Sequence, residues 1–216
     1  MSDQAPRAGE RGEPGADPRG RVTHPPEDAS FVEHRLATRS AYDGAFLKIF
    51  DDTVRMPDDS TSAREYIVHP GAVMIVPLLD DGRVVIERQY RYPVGRVMLE
   101  FPAGKIDPGE PTFDCARREL AEETGYTARE WACPGRLHNA PAYATEFIEI
   151  WFARGLVAGE RRLDEGEHLE VTTTTVDELS ALAAQGVLTD AKTLIALLWL
   201  QNLRAGAWTL DWRASY

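Results

Sequence analysis

A mixed α/β fold is predicted by three features of this sequence. Apolar and alternating stretches that read as strands dominate residues 31–101. One helical stretch near residue 115 then interrupts them, and two more helical stretches follow the last strand-like segment. No internal repeat and no regular alternation of strand and helix is present, which excludes a simple βαβ array. The 216 residues are 43% hydrophobic, enough for one core with an additional small lobe.

Residues 1–29 are rich in Pro, Gly and charge and hold almost nothing to bury, so a disordered tail is expected there. Residues 31–56 alternate apolar and polar side chains, with Tyr42-Asp43-Gly44 as the turn between two strands. Residues 64–68 form a further strand, and residues 30–66 together make a small antiparallel lobe. Residues 71–79, GAVMIVPLL, read as a buried strand. Asp80-Asp81-Gly82 is expected as a hairpin turn into a strand over 83–90. A short strand follows at 97–101. Helix is expected over 111–124, with Pro111 in its first turn and Gly125 at its C-terminus. Residues 147–154 and 170–176 read as strands. Helices are expected over 177–185 and 190–204, with Asp177 and either Thr189 or Asp190 as N-caps.

The formal net charge of −11 argues against general nucleic-acid binding, which needs Lys and Arg against phosphate. An acidic protein can still take a phosphate substrate when a metal ion offsets the charge. Cys115 and Cys133 form no CxxC pair and no Cys/His zinc spacing, so they read as reduced thiols of a cytoplasmic protein. The first twenty residues have no apolar signal-peptide core, and the longest apolar run, 194–200, is far too short for a membrane helix.

The chemistry is concentrated in GKIDPGEPTFDCARRELAEETGYT, residues 104–127. On a helix, Glu119, Glu122 and Glu123 stand at i, i+3 and i+4 and share one face. Like charges at that spacing repel. Hard carboxylate ligands suit Mg²⁺ or Mn²⁺, and a bound cation would offset the repulsion.

Gly104, Glu110, Arg118-Glu119-Leu120, Glu122-Glu123, Gly125 and Tyr126 fall at the spacing of the Nudix hydrolase signature, which this stretch resembles. Only Tyr126, where an aliphatic is usual, is a loose fit. The resemblance implies an α/β/α sandwich with a mixed sheet over residues 67–216, preceded by the N-terminal β lobe. It implies two or three Mg²⁺ or Mn²⁺ ions held by Glu119, Glu123 and the Ala103 carbonyl, with Glu122 close by. Arg118 would hold the carboxylates, and Glu110 would tie the loop to the helix. The run ERQYRYPVGRVMLEFPAGKIDPGE, with Pro141 and Glu146 further on, resembles the ADP-ribose pyrophosphatase branch, although Ala142 stands where that branch has glycine.

That branch implies hydrolysis of ADP-ribose to AMP and ribose 5-phosphate. Its base is a glutamate on a mobile loop before the last strand. Here the candidates are Glu165 and Glu167, with Glu167 favoured because it lies three residues before the expected strand. Arg64 and Arg91 are expected at the phosphate or adenine end and Glu146 at the terminal ribose. A homodimer that exchanges its N-terminal lobes is also implied. Two alternatives are another nucleoside diphosphate sugar such as GDP-mannose, and a catalytically silent ligand sensor. The latter predicts lost glutamates or an attached DNA-binding domain.

Overall fold

The structure, a computed structural model, describes residues 26–215, and the chain folds into two compact units. The expected disordered tail lies outside the described residues except for its last four positions. Those belong to an exposed 3-10 helix, Pro26–Phe31, rather than to a structureless leader.

The first unit comprises the described residues up to His69 together with Ala140–Glu146. It is built on three antiparallel strands in the order β1 (His34–Asp43), β2 (Lys48–Arg55) and β3 (Thr61–Val68). The β1–β2 turn falls at Gly44, as the Tyr-Asp-Gly signal predicts. Leu36, Tyr42, Phe46 and Leu47 remain exposed, because three strands cannot cover both of their own faces.

The second unit holds the remaining strands and all three α-helices. Strand β4 (Ala72–Pro77) is buried along its whole length. It pairs in parallel with β9 (Ile148–Ala158) and antiparallel with β7 (Ala103–Lys105). Beyond β9 lie β8 (Tyr126–Leu137) and β11 (Arg213–Ala214), giving a mixed five-stranded sheet. A second sheet orders β10 (Leu169–Thr174), β5 (Val84–Arg91) and β6 (Arg96–Glu100).

Helices cover both faces of β4, which is why it reads as a continuous apolar run. Val73 and Ile75 pack with Cys115, Ala116 and Leu120 of α1 (Thr112–Thr124). Met74 and Val76 pack on the opposite face with Leu179 of α2 (Val176–Ala184) and Leu197 and Leu200 of α3 (Ala191–Arg204). The layers are therefore α/β/α, with α1 alone on one side.

The local signals fare differently. Asp80-Asp81-Gly82 makes the expected tight turn, closed by the Leu79 amide on Arg83 at 2.9 Å and the antiparallel Leu78–Val84 bridge, but β4 and β5 themselves enter different sheets. Thr175 caps α2, in a capping box with Glu178, while Asp177 pairs with Arg204 at 2.8 Å. Strand β8, which the sequence does not announce, runs through Pro134 and Gly135 by way of a bulge between Ala132 and Gly135. Of the two candidates for the α3 cap, Asp190 is the one that accepts the Thr193 amide.

Candidate active site

Helix α1 begins after Pro111 and ends at Gly125, whose left-handed φ of 76° lets its amide close on Ala121. The helix buries its apolar side on the sheet, and this orientation fixes its carboxylates. Glu123 is 2% exposed and accepts a hydrogen bond from the Ala103 amide at 3.0 Å. Glu119 lies against Gly104. A Cβ on that glycine would overlap the Glu119 carboxylate, so the residue type is required by the close approach of loop and side chain. Glu122 is more exposed.

Arg118 organises the group. Its guanidinium donates to Glu110 at 2.9 Å from two nitrogens, to Glu119 at 2.8 Å and to Glu122 at 3.1 Å. Glu110 also accepts from the Asp107 amide at 3.1 Å, tying the loop to the helix. The Arg118 hydrogen bonds pull Glu110 down to about 2.

The other carboxylates shift the opposite way. Burial pushes Glu119 up to about 7 against the pull of Arg118. Burial first, then repulsion from Glu87, Glu119 and Glu167, pushes Glu123 up to about 10. Burial and then Glu100 push Glu87 up to about 8. Four carboxylates from three elements (Glu87 on β5, Glu119 and Glu123 on α1, and Glu167 before β10) thus crowd one region.

The donor set fits a hard divalent cation. It is all oxygen, it repels itself, and both oxygens of buried Glu87 have no hydrogen-bond partner. Among the described residues no three acidic side chains close into a ready cage. Arg118 holds Glu119 and Glu122 in its own fork. The Ala103 carbonyl, expected as a ligand, is in β7, where Ala103 is registered with Met74.

Glu87, Glu100 and Lys192 escape the sequence reading. Glu100, 2% exposed, receives Arg91 through Nε at 2.8 Å and Nη2 at 2.9 Å, and also pairs with Lys192. Burial would raise Glu100, but the two cations hold it below the ordinary carboxylate range. Arg91 is thus committed to a buried carboxylate. The sequence signal is clearest at Glu100, a charge at a strand position between apolar Leu99 and Phe101.

The remaining candidates lie in the first unit. Arg64 and Pro141 both line a cleft of about 290 Å³ together with Tyr66 and Tyr143. Arg64 donates to both oxygens of Glu33, at 2.8 and 2.6 Å, and to Ser62. Glu146 lies 3.7 Å from His69 Nε2.

Layering and site together define an α/β/α protein with a carboxylate-rich loop and helix packed beside its central sheet. A family model described as the NUDIX domain matches residues 68–197. The ADP-ribose pyrophosphatase of Bacillus subtilis (strain 168) is 34% identical over 174 residues, 80% of this chain and 94% of that protein. A methanol dehydrogenase activator of Bacillus methanolicus is 35% identical over 173 residues, 79% of this chain and 94% of that protein. The crystal structure of an ADP compounds hydrolase superposes with a TM-score of 0.72 at 25% identity, covering 81% of this chain and 95% of that one. The chain belongs to the Nudix family, hydrolases that act on diphosphates and generally depend on divalent metal.

Proposed function

We propose that this chain hydrolyses the diphosphate of ADP-ribose to AMP and ribose 5-phosphate. The observation that carries this reading is the self-repelling carboxylate group of Glu87, Glu119, Glu123 and Glu167, set beside the Gly104 loop. The likeness to the Bacillus subtilis ADP-ribose pyrophosphatase across nearly its full length supports the substrate. Glu119, Glu122, Glu123 and the Ala103 carbonyl would hold two or three Mg²⁺ or Mn²⁺ ions. Ions held there would supply charge neutralisation for the diphosphate oxygens and polarisation of phosphorus.

The chain's own groups do the rest. Arg118 keeps Glu119 and Glu122 oriented through its hydrogen bonds and sets the loop through Glu110. Glu167 takes the proton of the attacking water as the new P–O bond forms and the bridging P–O bond breaks. Two features favour it over Glu165. It acts electrostatically on Glu87, Glu119 and Glu123, and it lies two residues before the first residue of β10. Gly166, with φ of 84° and open space around it, gives that loop room to move.

The cleft beside Arg64 and Pro141 is the proposed adenosine end, with release of Arg64 from Glu33 as its condition. Glu146 is proposed for the terminal ribose. Arg91 is proposed at the phosphate or adenine end, oriented by the hydrogen bonds of its Nε and Nη2 to Glu100. The exposed apolar side chains of the three-stranded sheet support a homodimer. No helix among the described residues is long and apolar enough to cross a membrane. The two free thiols support a cytoplasmic setting.

ADP-ribose, GDP-mannose and NADH offered side by side with Mg²⁺ test the substrate. ADP-ribose should turn over fastest, with AMP as product. Faster turnover of GDP-mannose would move the reading to another sugar nucleotide. No turnover of any would favour the silent sensor.

A further inference from the structure

Glu87 is a carboxylate where the fold has no structural use for one. The residues before it on β5, Val84, Val85 and Ile86, are fully buried core. Glu87 continues the run at 0% exposure, yet neither of its oxygens has a hydrogen-bond partner. Its cross-strand partner Glu100 takes the cations available: Arg91 grips it with two nitrogens and Lys192 pairs with it. A buried charge with no partner is among the costliest arrangements a core can hold. An aliphatic side chain would fill the site without that cost.

The surroundings of Glu87 are directional. The signature glutamate Glu123, from a different element, feels Glu87 more strongly than any other charged group. Glu167, before β10, is coupled to both. On the side away from Glu100, Glu87 is registered with apolar Val171. Its unsatisfied carboxylate thus faces Glu100, Arg91 and Lys192 on one hand and raises Glu123 of the α1 site on the other, from a strand that the Nudix signature does not include.

We propose that Glu87 is a further cation-binding residue of this site, sharing a divalent ion with Glu123. A Mg²⁺-type ion is commonly held by only one or two carboxylates and keeps several waters. One ion between Glu87 and Glu123 would satisfy two otherwise repelling buried groups. The proposal rests on the metal-dependent reading above and adds a ligand to it.

Calorimetric titration of Mn²⁺ into the full chain tests it, with Glu87→Gln compared against wild type and thermal melting as a second readout. Gln is close in shape and neutral, so the variant should melt no lower than wild type in chelator. It should bind Mn²⁺ at least tenfold more weakly or lose one ion of stoichiometry, and its Mn²⁺-induced rise in melting temperature should shrink. Glu87→Leu, which suits the apolar strand, should behave the same way if Gln disturbs the fold. Wild-type affinity and stoichiometry in a folded Glu87→Gln or Glu87→Leu protein would overturn the proposal alone, leaving Glu87 a neutral buried acid. No Mn²⁺ uptake by wild type would overturn the metal reading itself and this proposal with it.

Discussion

Gly104→Ala separates folding from catalysis. A Cβ at this position would fall inside the Glu119 carboxylate, far below the 3.0 Å separation that real Cβ atoms respect. The carboxylate must retreat by at least about 1 Å. The backbone has no objection, since Gly104 does not adopt the left-handed conformation. The clash is with the far end of a flexible side chain rather than with backbone. Stability should therefore hold within about 1 kcal/mol, and loss of glycine entropy in the unfolded chain even contributes about 0.4–1 kcal/mol in favour of folding. Catalysis should suffer, because a misplacement of roughly 1 Å in a catalytic constellation can cost about 10²-fold in rate. Thermal melting and steady-state kinetics with ADP-ribose on the same preparation give both quantities. A Gly104→Ala protein with wild-type turnover would refute the claim that Glu119 must occupy the space beside residue 104.

Glu167→Gln should lower kcat strongly while leaving Mn²⁺ affinity near wild type, and Glu165→Gln should do little; the reverse pattern in the same assay would move the base to Glu165. Arg118→Lys keeps the charge but loses the planar fork to Glu110, Glu119 and Glu122, so activity should drop about 10–100-fold. Metal-free stability should depend on pH with a definite sign. Glu119, Glu87 and Glu123 are raised from 4.5 to about 7, 8 and 10. The native state therefore binds more protons than the unfolded chain above pH 4.5, and stability falls as pH climbs toward 10. Glu110, lowered to about 2, works the opposite way only in acid, losing its contribution as pH falls from 4.5 through 2. Melting in chelator should drop between pH 6 and pH 9, and Mn²⁺ should restore it; a flat profile would contradict the burial, and the repulsion added to it, that raise these groups.

The parts legible in the sequence are those whose cause is local. The all-apolar β4, the helix ending at Gly125 and the three spaced glutamates of α1 each follow from a period or a single residue type. The parts that escape it depend on partners distant in the chain. Strand β8 survives Pro134 because the bulge absorbs it. Arg64 and Arg91 look like free phosphate ligands in sequence, which does not report that each also grips a carboxylate, Glu33 and Glu100. The buried charge of Glu87 resembles a solvent-facing strand residue until the layers assemble around its own strand β5. Pairing and burial are properties of the assembled layers, so no spacing along the chain reports them.

In the proposed reaction, carboxylates on one helix recruit divalent cations that make a diphosphate open to water. The most direct measurement is the AMP released from ADP-ribose across a Mg²⁺ titration, by wild type and by Glu123→Gln side by side. Wild type should release AMP only as Mg²⁺ is added, and Glu123→Gln, folded by melting, should release almost none at any concentration. AMP release by wild type in chelator, or near-normal release by Glu123→Gln, would contradict the account.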